Sequence, residues 1–197
     1  MVTLERLTDG QLMERVQSGD RLAFAQIVER HKDAMVNYLT RLSGSRARGE
    51  EMAQECFVRL YLSRERYREE GKLGALLYRI ATNLAYSDAR RRRRRQVLSL
   101  GLVEGGQEPS TPESELLSRE AHAQLLRAIG QVKLRFRAPL VLYAIEGLSY
   151  GEVARVLGCA ENTVKSRISR GRRQLRQTLD REQGARSLVE PKGEEVV

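Results

Sequence analysis

The sequence predicts an all-α protein: two small helical domains joined by a flexible linker, the C-terminal one containing a helix-turn-helix. Three observations carry this. Apolar residues recur at three- and four-residue steps along both halves. A Gly-, Pro- and Ser-bearing stretch, "GLVEGGQEPSTPESE" (101–115), interrupts them without periodicity. Near the C-terminus a short capped helix, a glycine turn and a basic helix follow one another within 147–179. The first domain is expected over 1–96, the linker over 97–111, the second domain over 112–181 and a fraying tail over 182–197.

In chain order, Asp20 is placed to cap a long helix carrying Phe24, Ile27, Val28, His31, Met35, Tyr38, Leu39 and Leu42 on one face. "SGSRARG" is expected to break it. A second helix sets Met52, Ala53, Cys56, Phe57, Leu60 and Tyr61 inward, and a third sets Leu76, Leu77, Ile80, Ala81 and Leu84 inward before running into six arginines, Arg90 to Arg95. Thr111-Pro112 reads as an N-cap and first helical residue reopening the helical pattern.

"GLSYGEVARVLGCAENTVKSRISRGRRQLRQTL" (147–179) is the most specific stretch. Ser149 and Glu152 form an S-x-x-E capping box. Val153, Ala154 and Leu157 are expected to be buried, and Gly158 to end the helix. A second helix begins near Glu161, with Val164, Ile168, Leu175 and Leu179 inward. The residue in its N-cap position is only Ala160, which forgoes about 1 kcal/mol relative to Ser or Asp. This helix presents Lys165, Arg167, Arg170, Arg172, Arg173 and Arg176 with Ser166 and Ser169 between them. In a major groove its first turns would face base edges and its later arginines the phosphates. A solvated basic surface helix is the plainer alternative.

The chain has 197 residues, a net charge of +9 and 31% charged residues, a balance that favours a polyanionic partner, nucleic acid before an acidic membrane surface. The start lacks an apolar signal-peptide core, and no stretch reaches the ~18 apolar residues of a membrane span, so a cytoplasmic protein without membrane insertion is expected. Cys56 and Cys159 are read as buried structural thiols rather than disulfide or metal ligands. With no Walker-type loop, H-E-x-x-H or Cys/His zinc spacing, no enzyme, metal or cofactor is expected. The arginine run by itself fits a solvated charge run, a nuclear import signal or a nucleic-acid grip.

The helix-turn-helix phrase resembles the C-terminal DNA-binding domain of bacterial sigma-70 family RNA polymerase sigma factors, particularly the extracytoplasmic-function (ECF) group. "SGDRLAFAQIVERH", "EEMAQECFVRLY" and "LYRIATNLAYSDARRRRR" resemble successive parts of that group's N-terminal domain, in order, and "RAPLVLY" (Arg137 to Tyr143) fits as well. The likeness covers about residues 8 to 180. It departs at Leu76, where the family usually has Trp, at Leu73, where an aromatic is common, and at Val132-Lys133, where Leu-Pro is frequent.

The resemblance implies an alternative sigma factor that binds core RNA polymerase through the β′ clamp helices and the β flap and directs it to promoter DNA. Glu51, Gln54, Glu55 and Arg59 then belong to the core-polymerase contact; without the resemblance they are an ordinary polar helix face. Tyr67, Ile80, Asn83 and Ser87 become readers of single-stranded −10 DNA, with Arg90, Arg91, Arg92 and Arg93 on phosphates. Thr163, Lys165, Ser166, Ser169, Arg170, Arg172 and Arg173 become the −35 contact. An anti-sigma factor is implied as a further partner. A helix-turn-helix regulator binding duplex DNA alone is the competing reading, and a nonspecific nucleic-acid chaperone a weaker one.

Overall fold

Asp20 opens a 23-residue helix of the N-terminal half as expected: its Oδ1 accepts from the Leu22 and Ala23 N–H groups at 2.9 and 3.1 Å. The computed structural model describes residues 4–68, 72–98 and 116–189, and among them all regular structure is helical. A 3-10 turn at Leu4–Arg6 precedes α1 (Asp9–Gln17), α2 (Arg21–Ser43) and α3 (Arg46–Leu62); a second 3-10 turn at Arg64–Arg66 leads to α4 (Leu73–Leu98). The C-terminal half holds α5 (Leu116–Gln131), α6 (Leu134–Ala144), α7 (Tyr150–Leu157) and α8 (Glu161–Val189). The stretch at 101–115, with its Thr111-Pro112 cap, lies outside the described residues.

Four local expectations change. Helix α1 is an addition: the Thr8 N–H donates to Gln11 Oε1 and the Gln11 N–H to Thr8 Oγ1, a capping box, and Leu12, Met13 and Val16 are fully buried. The break at "SGSRARG" shrinks to Gly44 and Ser45. Gly44 ends α2 in the left-handed region at φ 73°, and Ser45 caps α3, so "RARG" is already its first turn. In α4 the buried line is Leu73, Leu77, Ala81, Leu84 and Ala85, while Leu76 and Ile80 sit half-buried at its edge. Finally, α8 continues to Val189, eight residues past the expected end at 181, and 190–197 fall outside the described residues.

Two glycines set how closely helices approach. A Cβ on Gly49 of α3 would lie 2.8 Å from the Thr40 backbone nitrogen of α2. A Cβ on Gly171 of α8 would lie 2.9 Å from the Phe136 carbonyl oxygen of α6. Each half therefore has one helix crossing at which only hydrogen fits.

The halves share one hydrophobic cluster, in which α4 meets α7 and α2 meets α5 and α6. Polar groups fasten that junction. Arg137, 9% exposed, donates through Nη1 to Leu42 O at 2.7 Å, through Nε to Val132 O at 3.0 Å, and through Nη2 to Gly130 O. Burial holds its guanidinium down to about 10, with Arg92 nearby adding to the effect. The Glu146 carboxylate accepts from Tyr78 Oη and pairs with Arg41 at 3.3 Å. Beneath it, Tyr38 Oη and Thr82 Oγ1 are 2.7 Å apart, and the Tyr38 and Tyr78 rings meet edge to face.

Candidate nucleic-acid interface

Helix α7 is built as its sequence directs. The Ser149 N–H and Oγ both donate to Glu152 Oε2 at 2.9 Å, and Ser149 Oγ accepts from the Glu152 N–H. Those bonds hold the Glu152 carboxyl below its usual range. Gly158 ends the helix at φ 61°. The buried pair is Val153 and Val156; Ala154 and Leu157, expected inside, are half-buried on a helix that packs against α4, α6 and α8. Cys159 is likewise half-buried, whereas Cys56 is fully buried. The Thr163 and Val164 N–H groups both bond Ala160 O, so α8 starts without a side-chain cap from Ala160.

Val164 and Ile168 anchor α8, and the opposite face is polar and basic. Lys165, Ser166, Ser169, Arg170, Arg172 and Arg173 are all exposed, and Thr163 is half-buried. Ser166 Oγ donates back to Thr163 O at 2.9 Å, and Lys165 pairs with Glu161 at 3.0 Å. Ser169, Arg172, Arg173 and Arg176 line one shallow hollow. This places three guanidinium groups around a space suited to a phosphate.

The second basic surface is on α4. Leu76, Ile80, Asn83, Ser87 and Arg90 follow at steps of four and three, forming a stripe about 21 Å long at 1.5 Å per residue. Asn83 and Arg90 are exposed, and Ile80 and Ser87 half-buried. Arg90 donates to Ser87 Oγ at 3.2 Å, Arg92 pairs with Asp88 at 3.0 Å, and Arg91 and Arg93 are exposed. Tyr67 follows the Arg64–Arg66 turn, half-buried against the core, with its carbonyl and that of Arg64 accepting from Gln17 Nε2. The adjacent stripe of α4 is covered: Tyr86 is half-buried, and burial raises its hydroxyl above the ordinary range while Arg167 of α8 opposes the shift.

A third surface lies on α3. Glu51, Gln54, Glu55 and Arg59 are all exposed, and Arg59 Nε bonds Glu55 Oε1 at 2.8 Å. Val58 and Leu62, overlooked in the sequence, stand 51% and 71% exposed on that face. Their signal was available: both are large apolar residues off the helix's core stripe.

Residues 27–95 match the family described as Sigma-70 region 2, and residues 122–175 match Sigma-70, region 4. The chain is 34% identical over 180 residues to the ECF RNA polymerase sigma-E factor of Haemophilus influenzae, covering 87% of this chain and 95% of that protein. This chain belongs to the ECF sigma factors. It is also 34% identical to the Escherichia coli K12 sigma-E factor, covering 85% of this chain and 92% of that one. Among solved structures, CnrH in complex with the cytosolic domain of CnrY superposes with a TM-score of 0.64 at 25% identity, covering 87% of this chain and 97% of that one. The Bartonella quintana sigma factor RpoE, solved with the anti-sigma factor NepR, has the same fold at a TM-score of 0.65 and 24% identity, covering 80% and 96%. As an ECF sigma factor the protein is an alternative, non-enzymatic initiation factor that directs transcription. Among the described residues no helix is long and apolar enough to cross a membrane.

Proposed function

We propose that this sigma factor divides its work among the three surfaces. The exposed face of α3, with Glu51, Gln54, Glu55 and Arg59 flanked by Val58 and Leu62, docks on the β′ clamp helices of core RNA polymerase. The C-terminal half, 112–181, engages the β flap and sets α8 in the major groove of the −35 element. There Lys165, Ser166, Ser169 and Arg170 face base edges, Thr163 flanks them, and Arg172 and Arg173 hold phosphates. The N-terminal half, 1–96, reads the −10 element on α4. Asn83 offers both a donor and an acceptor to a base edge, Ile80 and Tyr67 supply apolar surface, and Ser87 with Arg90 to Arg93 follows the backbone.

The observation that carries this reading is the pairing, in one chain, of a capped helix-turn-helix with a second basic stripe on α4. A duplex-binding regulator has no use for the second. The arginines sit at the C-terminal end of α4, where the helix dipole favours cations, and each neutralised phosphate makes binding more salt-sensitive. The site of action is the bacterial cytoplasm, and an anti-sigma factor that masks these surfaces is the expected negative partner.

The test is co-elution of the purified chain with bacterial core polymerase, with run-off transcription from a promoter library. Transcripts that require both the chain and a two-part promoter are expected. Sequence-specific duplex binding without co-elution would overturn the reading.

A further inference from the structure

Two tyrosines outside α8 bear on its DNA face. Tyr143 lies in the last turn of α6 and Tyr150 is the first residue of α7. The loop between them turns at Gly147, φ 74°, and is closed by the Leu148 N–H donating to Leu142 O at 3.0 Å. That reversal brings the two rings together, 4.5 Å between centroids and 10° from parallel. Each ring then meets one cation of α8: Lys165 Nζ lies 5.5 Å from the Tyr150 centroid, and Arg172 Cζ lies 5.5 Å from the Tyr143 centroid. Both distances fall within the roughly 6 Å range of a cation–π contact. The Tyr150 hydroxyl is held above its ordinary value, first by the neighbouring Tyr143.

Lys165 and Arg172 are seven residues apart, so they share one face of α8 about 10.5 Å apart along the axis. Both belong to the segment proposed to touch DNA, one near each end. A long cationic side chain loses rotamer freedom when it binds, so contacts that restrict it beforehand reduce that loss. Glu161 already restrains Lys165 from one side.

We propose that Tyr143 and Tyr150 are positioning residues for −35 recognition, their stacked rings holding Lys165 and Arg172 at set places on the DNA face of α8. The inference rests on the reading of α8 as the −35 helix. It assigns the tyrosines different consequences. Tyr150 acts through a base-reading lysine and shapes sequence preference; Tyr143 acts through a phosphate-binding arginine and shapes affinity alone.

The experiment uses holoenzyme reconstituted from the full chain and core polymerase, on promoters with single-base changes across the −35 element. Tyr150→Leu should lower −35-dependent transcription about two- to fivefold, the usual scale of an exposed cation–π contact, and flatten preference at the base pairs that Lys165→Ala affects. Tyr143→Leu should cause a similar loss at every −35 sequence. Tyr150→Phe and Tyr143→Phe keep the rings and should stay close to wild type. In double-mutant cycles, Tyr150→Leu should add little to Lys165→Ala, and Tyr143→Leu little to Arg172→Ala. Additive effects, or Phe variants as impaired as Leu variants, would overturn the proposal. Insensitivity of −35-dependent transcription to both Lys165→Ala and Arg172→Ala would overturn the reading of α8 itself, and the proposal with it. In the unsubstituted chain, the Lys165 ε-methylene protons should be shifted upfield by the Tyr150 ring; their absence from the shielded region would overturn the proposal even where a Leu variant does not fold.

Discussion

The Tyr78 hydroxyl donates to Glu146 Oε2 at 2.7 Å, joining α4 to the loop that leads into the helix-turn-helix. Arg41 reaches the other carboxylate oxygen from α2, and the Glu146 and Arg41 side chains are only 10% and 19% exposed. Removing the carboxylate leaves a phenol and a guanidinium without their shared partner. Glu146→Ala should lower unfolding free energy by about 1–3 kcal/mol and increase the radius of gyration in small-angle scattering. A variant with unchanged stability and unchanged dimensions would show that this contact does not hold the halves together.

Gly49 and Gly171 should be intolerant for a steric reason that helix propensity would not predict. Alanine normally favours a helix over glycine by about 0.5–1 kcal/mol. Here its methyl would meet the Thr40 nitrogen or the Phe136 carbonyl oxygen below 3 Å. Gly49→Ala and Gly171→Ala should each destabilise by about 1–3 kcal/mol. Gly74→Ala is the control, since nothing lies within 4 Å of its added carbon; it should be neutral or mildly stabilising. Urea denaturation distinguishes the two signs.

Stability should fall on the alkaline side. Burial pushes the Cys56 thiol up to about 12 and the Tyr38 and Tyr78 hydroxyls well above their ordinary range. Between the unfolded values, about 8.5 for Cys and 10 for Tyr, and the folded ones, the native state binds more protons, so stability declines as pH rises. Thermal melts from pH 8 to 10 should therefore shift downward. Cys56, fully buried and close to Leu77 O, should react with a maleimide only on unfolding, whereas half-buried Cys159 reacts in the native protein. Early labelling of Cys56 would contradict the packing described.

On promoter DNA, Arg170→Ala should change −35 preference at particular base pairs, by about 1–3 kcal/mol for a bidentate base contact. Uniform weakening across sequences would reduce Arg170 to a phosphate contact. Asn83→Ala should impair −10 use while leaving co-elution with core polymerase intact. Loss of core binding would move Asn83 to a different surface.

Much of the helix-turn-helix was legible because its signals are local. Ser149 and Glu152 lie three residues apart, Gly158 closes the turn, and Val164 and Ile168 follow the helical period. Asp20 was equally legible as a cap. Thr8 and Gln11 carry the same kind of signal for α1, at a spacing of three residues. The inward face of α7 was misjudged at Ala154, Val156 and Leu157 because period alone does not reveal which neighbours press on an eight-residue helix. The Arg41–Glu146 pair joins residues 105 positions apart, and the Tyr143–Tyr150 stack depends on a loop reversal. Contacts of that kind have no counterpart in local sequence. The proposed roles of the α3 and α4 faces rest on family likeness, whereas the basic face of α8 was readable from its own residues; Val58 and Leu62 were missed because a polar reading of the α3 face passes over apolar residues.

The packing of α7 on α4 also limits where DNA can be. The −10 and −35 elements are named for positions about 25 base pairs apart, some 85 Å of duplex at 3.4 Å per pair. Helices packed against each other have axes only about 8–10 Å apart. The packed conformer and one spanning a whole promoter are therefore mutually exclusive states of the same chain. Whatever fraction of the population is extended divides the intrinsic dissociation constant, so a chain extended one time in a hundred binds a bipartite promoter about a hundredfold more weakly than its contacts allow. Were core polymerase to hold the two halves apart it would remove that handicap, so the free subunit should bind a bipartite promoter weakly for reasons of geometry rather than lack of contacts, and a gel shift of the free chain on such a promoter checks this.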